Sequence, residues 1–279
     1  MKESHRPLVT DEHRARFADD GVVKVEGVLA EDMVERLLAV ADDELADPGA
    51  WVTDSNPDSA TDRLFTTRYL WRHNDTVRAA VFESPIASVA GQVLDTNSVR
   101  FYFDHTLVKL PHTDASTPWH QDIPYWPFLG KRIVSVWVAL TDTTVDQSGL
   151  EFIRGSHRWD AYYAPESFTP DAERSTSDWT TDFVGERVPD IDADRDDYDI
   201  VSFDAAPGDA IVFSAWSIHG ARGNAAPTRR VAFSTRWLGD DAVWAPHPGS
   251  DPTLMNGEIT LEPGAYPADD DRLPLVWTR

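Results

Sequence analysis

The sequence predicts a single domain in which a layer of helices packs on an antiparallel β-sandwich or barrel. Helical spacing of apolar residues is confined to the first third of the chain, whereas runs of aromatic and β-branched residues dominate from residue 98 onward. Turn residues separate those runs. We therefore expect a helical layer over about residues 1–97, a β core over about 98–240 and a C-terminal tail over about 241–279.

Apolar residues at helical spacing predict two helical regions. One begins at Glu31, in an acidic first turn that favours the positive end of the helix dipole, and ends near Pro48. The other covers residues 75–94 and is interrupted at Pro85. The chain before the first helical region, residues 17–29, is typical of a strand between two turns.

Short runs of aromatic and β-branched residues predict the strands of the β core. They cover residues 99–110, 133–140, 150–153, 200–203, 210–214 and 230–238. The polar, acidic segment 159–199 is too long for a tight turn, so we interpret it as an excursion over the barrel. It is either a lid above a site or a solvated loop.

Composition and charge exclude several classes of protein. The chain has 279 residues, of which 41% are hydrophobic, and this is enough apolar material for a sizeable core. A formal net charge of −23 repels nucleic acid and anionic membranes, so we expect neither as a partner. The absence of cysteine excludes disulfides and thiolate metal sites. With a polar N-terminus and no long apolar run, the protein is expected to be soluble and cytoplasmic.

The segment Trp119-His120-Gln121-Asp122 carries the central functional signal. On an extended strand, a His-x-Asp spacing turns both side chains to the same face, where an imidazole and a carboxylate can bind one metal ion. His219 is the candidate for the third ligand, because it follows a Pro-Gly-Asp turn in an apolar and aromatic stretch. Two histidines and one carboxylate form the set that binds iron(II) and leaves positions open for a co-substrate and O2.

A His-x-Asp pair is by itself a weak signal, and the chain contains a second one at His112 and Asp114. The neighbours of that second pair are polar and bounded by proline, which predicts a surface loop rather than a buried strand. Taken alone, each of His120 and His219 also fits a histidine of the core. The metal-site hypothesis therefore depends on the residues that follow them.

Arg230 lies eleven residues after His219, at the start of the predicted strand RVAFSTRWL. A guanidinium inside a barrel needs an anionic partner, since an unpaired buried charge is costly. A dicarboxylate co-substrate could supply that partner, with one carboxylate and its keto oxygen on the metal and the far carboxylate paired with Arg230. Because side chains alternate along a strand, the adjacent Arg229 is expected to face outward as a surface cation.

Together these segments resemble the phytanoyl-CoA dioxygenase family of iron(II)- and 2-oxoglutarate-dependent oxygenases. The resemblance rests on DGVVKVEGVL with its following helix, WHQDIPYWP, SVWVALTD, SGLEFIRGSHR, PGDAIVFSAWSIHGARGN and RRVAFSTRW, in this order along the chain. It implies a mainly β fold with flanking α-helices, namely a double-stranded β-helix, also called a cupin-like jelly roll. Residues 98–240 then form the jelly-roll core of one oxygenase domain.

The resemblance makes His120, Asp122 and His219 the catalytic iron ligands and Arg230 the anchor for the far carboxylate of 2-oxoglutarate. Related halogenases carry a small residue in place of the carboxylate, so Asp122 implies hydroxylation rather than halogenation. The implied activity is the oxidation of a small-molecule substrate by O2, coupled to the conversion of 2-oxoglutarate to succinate and CO2. Desaturation, epoxidation and ring formation stay open as outcomes of the same chemistry.

Further contacts to the co-substrate are expected around the ligands. Trp137 matches a tryptophan that contacts the co-substrate in relatives, and Gln121 matches the glutamine between the two ligands. Relatives often carry a small hydroxyl residue two positions after the distal histidine, where this chain has Ala221. Thr117 or Lys109 could supply the contact that Ala221 lacks.

The sequence does not select the substrate, because one fold hosts many reactions. An acyl-CoA thioester carries several negative charges and is disfavoured by so acidic a chain. The candidate pocket residues are Tyr102, Asp104, Tyr125, Trp126 and Trp216 near the metal, with Arg68, Tyr69 and Trp71 from the N-terminal region. Core packing is the alternative for each aromatic residue, and His157 and Arg158 are interpreted as structural.

Two other classes of protein fit the same ligands. A divalent-metal hydrolase, such as a zinc enzyme, has no need of a dicarboxylate anchor, so Arg230 disfavours it. A non-catalytic jelly-roll binding protein with a relic metal site is expected to have lost a ligand, yet all three are present.

Overall fold

The computed structural model of the chain describes residues 7–55, 58–59, 63–165, 185–248, 250–251, 253–254 and 259–279. These residues form four α-helices, fourteen β-strands and several short 3-10 turns. None of the described helices is both long and apolar enough to cross a membrane.

Four helices flank the sheets: α1 (Asp11–Asp20), α2 (Glu31–Ala46), α3 (Asp75–Phe82) and α4 (Ile86–Val93). The last three confirm the predicted helical regions, and Pro85 separates α3 from α4 as expected. Helix α1 is an addition to the prediction, because none of its residues is buried and it has no apolar stripe. Thr10 caps its first turn, and Gly21 ends it in the left-handed conformation.

The strands before residue 98 are β1 (Val22–Val25), β2 (Val52–Ser55) and β3 (Leu64–Arg68). The later strands are β4 (Ser98–Lys109), β5 (Thr117–His120), β6 (Phe128–Leu129), β7 (Ile133–Ala139), β8 (Glu151–Ile153), β9 (Ile200–Ser202), β10 (Ala210–Ser214), β11 (His219–Ala221), β12 (Arg230–Leu238), β13 (Val243–Trp244) and β14 (Leu275–Thr278). Six of them confirm the predicted runs, namely β4, β7, β8, β9, β10 and β12.

Two antiparallel sheets form the jelly-roll core. The larger sheet has eight strands, in the order β1-β10-β7-β12-β4-β3-β2 with β14 paired to β4, and the smaller sheet has four, in the order β5-β11-β8-β9. Phe152 of the smaller sheet packs against Phe213 of the larger sheet, with ring centroids 5.1 Å apart. This arrangement confirms the mainly β fold with flanking helices and a double-stranded β-helix core.

Both ends of the chain contribute to the larger sheet, which corrects the predicted division at about residues 97 and 240. Strand β1 pairs with β10, and β3 and β2 extend the sheet beyond β4. Near the C-terminus, β14 pairs with the start of β4. The short, half-polar strands β2 and β3 lack the apolar alternation by which a sequence reveals a strand.

The two faces of the larger sheet differ in chemistry. Along β12, Val231 and Phe233 belong to the apolar core that also contains the helices. Alternation turns Arg230, Ser234 and Arg236 to the other face, toward the smaller sheet. The functional side chains lie in the space between the two sheets.

The segment predicted as an excursion over the barrel is described only at its two flanks, because residues 166–184 lie outside the described residues. The main chain joins the flanks directly, since Ala164 N donates to the Glu186 carbonyl oxygen at 2.7 Å. The role of this segment as a lid stays a prediction.

Candidate metal centre

Strands β5 and β11 bring two histidines together. They pair antiparallel with His120 directly opposite His219, and the imidazole centroids are 4.2 Å apart. Both residues are almost fully buried, with 6% and 4% of their surface exposed. Directly opposite residues project from the same face of a sheet, so both imidazoles enter the space between the sheets.

Asp122 joins the two histidines from a turn rather than from the strand. Strand β5 ends at His120, and Asp122 adopts helical backbone angles before the 3-10 turn Ile123–Tyr125. Its Oδ1 lies 3.6 Å from His120 Nε2 and 3.9 Å from His219 Nε2. The expectation that strand alternation alone aligns the His-x-Asp pair is therefore corrected, because the turn directs the carboxylate toward the histidines.

Main-chain carbonyls fix the orientation of both imidazoles. His120 Nδ1 lies 2.8 Å from the Pro118 carbonyl oxygen, and His219 Nδ1 lies 3.0 Å from the Ser217 carbonyl oxygen. Nδ1 therefore donates in each ring, and Nε2 carries the lone pair on the side of the Asp122 carboxylate. Burial lowers the pKa of His219 to about 3, with a further contribution from His120, so the ring is neutral at pH 7 as a metal ligand must be.

Two side chains hold the carboxylate of Asp122. Ser135 Oγ on β7 donates to Asp122 Oδ2 at 2.6 Å, and Arg236 Nε on β12 lies 3.7 Å from the same oxygen. Burial by itself raises the pKa of Asp122, but the charge of Arg236 is the largest of the effects that lower it well below its ordinary value. The carboxylate therefore stays ionised, with Oδ2 held by the protein and Oδ1 facing the histidines.

The three side chains meet the geometric requirement for a metal site. Their ligand atoms all lie within 4.8 Å of one another, and no other group of three or more such residues does so in the described part of the chain. The second His-x-Asp pair lies in a turn in which His112 and Asp114 are exposed and His112 has a positive φ of 56°. Its interpretation as a surface loop is confirmed.

A buried pair of cations lies where β12 begins beside the end of β4. Arg230 Nε and Nη1 have no hydrogen-bond partner, while Nη2 contacts Ser148 Oγ at 3.4 Å. The guanidinium carbon of Arg230 lies 5.7 Å from the ring centroid of Trp137. Lys109, directly opposite Arg230, is fully buried and donates to the carbonyl oxygen of Arg222 at 2.9 Å. We call Arg230, Lys109, Trp137 and Ser148 the anion pocket.

Burial determines the electrostatics of the anion pocket. It lowers the pKa of Arg230 to about 10, and burial together with the charge of Arg230 lowers the pKa of Lys109 well below its ordinary value. Among the described residues, neither cation forms an ion pair with a carboxylate. Two basic groups without an acid are costly to bury, so the pocket is suited to binding an anion.

Arg229 faces the opposite side of the sheet. Its guanidinium forms an ion pair with Asp42 of α2, in which Nη2 lies 3.1 Å from Oδ2. Their hydrogen bond lowers the pKa of Asp42 and raises that of Arg229. The strand thus has the register that alternation predicts, with Arg230 inside and Arg229 outside.

Gln121 contacts the main chain rather than the space around the metal ligands. Its Nε2 donates to the carbonyl oxygens of Ala161 at 3.1 Å and Trp216 at 2.9 Å, and its Oε1 accepts from Tyr163 N at 3.2 Å. These contacts use both polar atoms of the amide. Gln121 therefore fastens the first flank of the segment 159–199, and its contact to the co-substrate stays a prediction.

Thr117 lies opposite Ala221, at an irregular end of the β5–β11 pair. Both residues line a surface groove that also contains Arg222 and Gly223 and none of the three metal-site residues. Thr117 is half-buried. A contact from Thr117 to the co-substrate stays a prediction.

Aromatic side chains flank the metal centre. Tyr125 stands edge-on to His120, with ring centroids 5.7 Å apart. The guanidinium carbon of Arg236 lies 5.2 Å from the ring centroid of Phe103 and 5.7 Å from that of Trp126. These rings form an apolar wall beside the metal ligands, in agreement with the placement of Tyr125 and Trp126 in the predicted pocket.

Several other predicted pocket residues stabilise the fold. Asp104 accepts hydrogen bonds from Leu70 N at 3.0 Å and Trp71 N at 2.9 Å, so both carboxylate oxygens are used by the main chain. Tyr69 OH donates to Asp251 Oδ2 at 3.1 Å. Trp71 belongs to the core beneath the helices. These contacts give all three residues a role in the fold, and direct substrate contacts from them stay a prediction.

Tyr102, Trp216 and His157 also have defined surroundings. Tyr102 is fully buried in the aromatic cluster that contains Trp126. Trp216 is half-buried and donates its Nε1–H to the Gly130 carbonyl oxygen at 2.7 Å. His157 packs so closely under Gly21 that a β-carbon there would lie 2.3 Å from His157 Nδ1, which agrees with its predicted structural role.

The sequence analysis misses three interior residues: Ser135, Arg236 and His105. Ser135 lies two positions before Trp137, and Arg236 lies six positions after Arg230, so each shares a face with a residue that was predicted to be inside. His105 Nε2 is buried without a hydrogen-bond partner. Strand alternation, extended from the predicted residues along the whole strand, is the signal that finds the first two.

The fold and the site define a jelly-roll protein with a buried cluster of two histidines and one carboxylate that could hold one metal ion. The model of the family described as phytanoyl-CoA dioxygenase (PhyH) matches residues 17–232. The chain belongs to this family, whose enzymes depend on iron and 2-oxoglutarate. A search of curated proteins finds no match.

The fold is similar to that of several solved structures. The α-ketoglutarate-dependent epimerase SnoN from nogalamycin biosynthesis aligns over 96% of this chain and 98% of that chain, with a TM-score of 0.70 and 22% identity. The carbocyclase SnoK from nogalamycin biosynthesis aligns over 96% and 97%, with a TM-score of 0.73 and 20% identity. EctD from S. alaskensis, in complex with 2-oxoglutarate and 5-hydroxyectoine, aligns over 90% and 83%, with a TM-score of 0.66 and 20% identity. At these identities the likeness extends to the fold alone.

Proposed function

We propose that the protein is an iron(II)- and 2-oxoglutarate-dependent oxygenase that hydroxylates a small-molecule substrate. The observation that carries this proposal is a His-Asp-His cluster on the same interior space as a buried pair of cations without an acid. Family membership supports it, as do the similar structures with bound Fe3+ and α-ketoglutarate.

The residues present fit the metal. Two imidazole nitrogens and one carboxylate oxygen are the donor set typical of non-haem iron(II) with open coordination positions. His120, Asp122 and His219 would hold the ion. Each of these side chains is itself held by a hydrogen bond to a carbonyl or hydroxyl group, and such contacts fix ligand orientation and raise ligand basicity.

The anion pocket fits the far carboxylate of 2-oxoglutarate. Arg230 offers two nitrogen atoms without a partner, Nε and Nη1, in a site that contains no competing acid among the described residues. A guanidinium pairs with a carboxylate through two parallel hydrogen bonds, and Lys109 would add a second positive charge once an anion raises its pKa. Trp137 forms the wall between the pocket and the smaller sheet.

When bound, iron(II), 2-oxoglutarate and O2 supply the oxidation of a substrate C–H bond, with succinate and CO2 as co-products. The protein contributes a fixed ligand set, a cation for the co-substrate and aromatic side chains that exclude water. Asp122 supports hydroxylation over halogenation, since related halogenases carry a small residue at its position. SnoN and SnoK are described as an epimerase and a carbocyclase, so the products must be identified and not only the succinate.

The proposal is tested by incubating the protein with iron(II), 2-oxoglutarate, O2 and a library of small molecules, and by measuring succinate and product masses. We expect succinate formation that increases with a suitable substrate, together with a product heavier by one oxygen atom. A product with the same mass as its substrate would indicate epimerisation instead of hydroxylation. A product lighter by two hydrogen atoms would indicate ring closure.

Zinc-loaded protein is the matched control, because zinc has no redox chemistry. It is expected to form no succinate. Hydrolysis of esters or amides by the zinc form without O2, combined with no succinate from the iron form, would favour the divalent-metal hydrolase. Binding of small molecules without any turnover would favour a non-catalytic protein.

A further inference from the structure

The burial pattern of β4 indicates an opening on the interior face of the larger sheet. From Val99 to Lys109, every residue of β4 is buried except His105 and Leu107, although β4 has strands on both sides. A central strand exposes side chains only where one face is uncovered. His105 and Leu107 share a face by alternation, and Leu107 packs against the interior cluster around Trp137. The opening therefore lies between the two sheets.

Three basic side chains from adjacent strands line this opening. Arg68 on β3 lies directly opposite His105 on β4. His105 in turn lies directly opposite Ser234 on β12, two residues before Arg236. The pairing of β12 with β4 is irregular beyond Thr235, but β12 stays in regular register with β7, where Ser234 lies opposite Trp137 and Arg236 opposite Ser135. Opposite and alternate residues share a face, so Arg68, His105 and Arg236 project together. We call these three residues the basic wall.

The acids nearest to the basic wall already have partners. Asp122 Oδ2 accepts from Ser135 and faces Arg236, while its Oδ1 faces the histidines. Asp104 directs both oxygens at main-chain N–H groups of the turn that follows β3. The third buried acid near Arg68, Asp251, accepts hydrogen bonds from Tyr69 OH and Thr253 Oγ1. None of these three carboxylates forms an ion pair with Arg68.

Two groups of the basic wall consequently lack partners. Within the described part of the chain, Arg68 has no ion pair, and it is half-buried. His105 Nε2 is buried without a hydrogen-bond partner. Burial and the charges of Arg236 and Arg68 lower the pKa of His105 well below its ordinary value, so the ring is neutral. A neutral imidazole offers one donor and one acceptor, and Arg68 offers a full positive charge.

We propose that the basic wall binds a carboxylate group of the substrate, so that the enzyme acts on small organic acids. This inference rests on the proposed function of the neighbouring metal centre. Arg236 already pairs with Asp122, which leaves Arg68 as the charged group of the basic wall that has no ion pair among the described residues. A carboxylate carries one negative charge and matches it, whereas a phosphate monoester carries about −1.5 to −2 and exceeds it. The apolar wall that Tyr125, Phe103 and Trp126 form beside the metal ligands would contact the apolar part of such a substrate.

The test measures binding of probe molecules to the anaerobic protein loaded with iron(II) and 2-oxoglutarate. The probes are monocarboxylates from propionate to phenylacetate, each with its uncharged primary amide, and phenyl phosphate. Paramagnetic broadening of the proton signals of each probe reports binding near the iron. The visible absorption of the iron–2-oxoglutarate complex, recorded in the same sample, reports whether the metal centre has formed.

We expect at least one carboxylate to bind about 10-fold more tightly than its amide, which corresponds to about 1.4 kcal/mol. Arg68→Gln should remove that preference, and Arg68→Lys should retain most of it because the charge is kept. Arg229→Gln is the matched control, since Arg229 lies on the outer face, and it should leave the preference unchanged.

Three results would overturn the inference while the absorption band is present. The first is equal binding of acids and amides across the panel, and this includes no binding of either. The second is tighter binding of phenyl phosphate than of every carboxylate. The third is an unchanged preference for the carboxylate in folded Arg68→Gln. Absence of the absorption band from the unmodified protein would instead count against the proposed function of the metal centre. The two failures are therefore distinguishable.

Discussion

The anion pocket and the basic wall are built on the same strands, β4 and β12, but water reaches them differently. Arg230 and Lys109 have 2% and 0% of their surface exposed, whereas His105 and Arg68 are partly exposed. A closed pocket of fixed size suits a co-substrate that is the same in every turnover. An open cavity with a few polar groups suits the substrate, which differs from one related enzyme to another.

The comparison also shows how the nearest acid changes the role of a buried arginine. Arg230 and Arg236 lie on the same face of β12, six residues apart. Among the residues that the structure describes, Arg230 forms no ion pair with an acid, and it is suited to binding an external anion. Arg236 lies 3.7 Å from Asp122 and positions a metal ligand. The predictions below separate these roles, beginning with the largest expected effect.

Loss of a metal ligand should abolish the function of both sites, because the co-substrate and the substrate meet at one metal. His120→Ala and His219→Ala are expected to reduce iron(II) binding from about one ion per chain to none, and succinate formation to background. Metal analysis and succinate assays check this result. Replacing His112 and Asp114 by alanine should leave both unchanged, and full activity in His120→Ala would contradict the assignment.

Loss of the pocket cation should affect the co-substrate alone. Arg230→Ala is expected to weaken 2-oxoglutarate binding by roughly 30-fold or more, because truncation costs on the order of 2–5 kcal/mol when the partner carboxylate stays buried. Iron affinity should change little, since the ligands are untouched. Titration of 2-oxoglutarate at fixed iron concentration measures the change.

Arg229→Ala is the control for this experiment and should change 2-oxoglutarate affinity by less than a few fold, because its partner is Asp42 on the outer face. A large loss in Arg229→Ala with none in Arg230→Ala would show that the register of β12 is wrong by one residue. No loss in either variant would count against a dicarboxylate co-substrate.

Much of this molecule can be predicted from its sequence because the long strands are periodic. Strands β4 and β12 contain 12 and 9 residues, and their alternation determines both the fold and the inward direction of Arg230. The three metal ligands were predicted because two histidines and one carboxylate form the set that binds iron(II). Strands β5 and β11, with 4 and 3 residues, are too short to show a period, although they position both histidines.

What could not be predicted depends on contacts between distant parts of the chain. Gln121 occupies a motif position, yet its amide contacts Ala161 and Trp216, and no local pattern records these partners. Asp104 is a polar residue in an apolar strand, which suggested a substrate contact, but it holds a turn more than 30 residues earlier. Helix α1 was missed because its capping residues, rather than an apolar stripe, define its ends.

Two serines provide a smaller, matched comparison of the sites. Ser135→Ala should weaken iron(II) binding by about 10-fold, because residues that orient a metal ligand typically contribute 10–100-fold in affinity. Ser148→Ala should instead weaken 2-oxoglutarate binding by a few fold, since it removes a 3.4 Å contact to Arg230. The dissociation constants of iron(II) and 2-oxoglutarate are measured for both variants. Weaker 2-oxoglutarate binding in Ser135→Ala together with weaker iron(II) binding in Ser148→Ala would contradict the separation of the two sites.

The last prediction concerns the pH dependence of stability, away from both sites. Burial raises the pKa of Asp104 to about 6, so the folded protein binds this proton more tightly than the unfolded chain does. The stabilisation is therefore complete below about pH 4 and is lost as the pH rises through 6. Relative to Asp104→Asn, the free energy of unfolding of the native sequence should fall by about 2 kcal/mol between pH 4 and pH 7. Denaturant unfolding at several pH values checks this, and a difference independent of pH would contradict it.

Anaerobic titration with iron(II) and 2-oxoglutarate tests the central claim most directly. We predict a weak visible absorption band that requires both components, saturates near one of each per chain, disappears in His120→Ala and needs far more 2-oxoglutarate in Arg230→Ala. A protein that binds iron(II) at the three ligands but shows no band and no affinity for 2-oxoglutarate would contradict the assignment of the anion pocket and, with it, the proposed oxygenase activity.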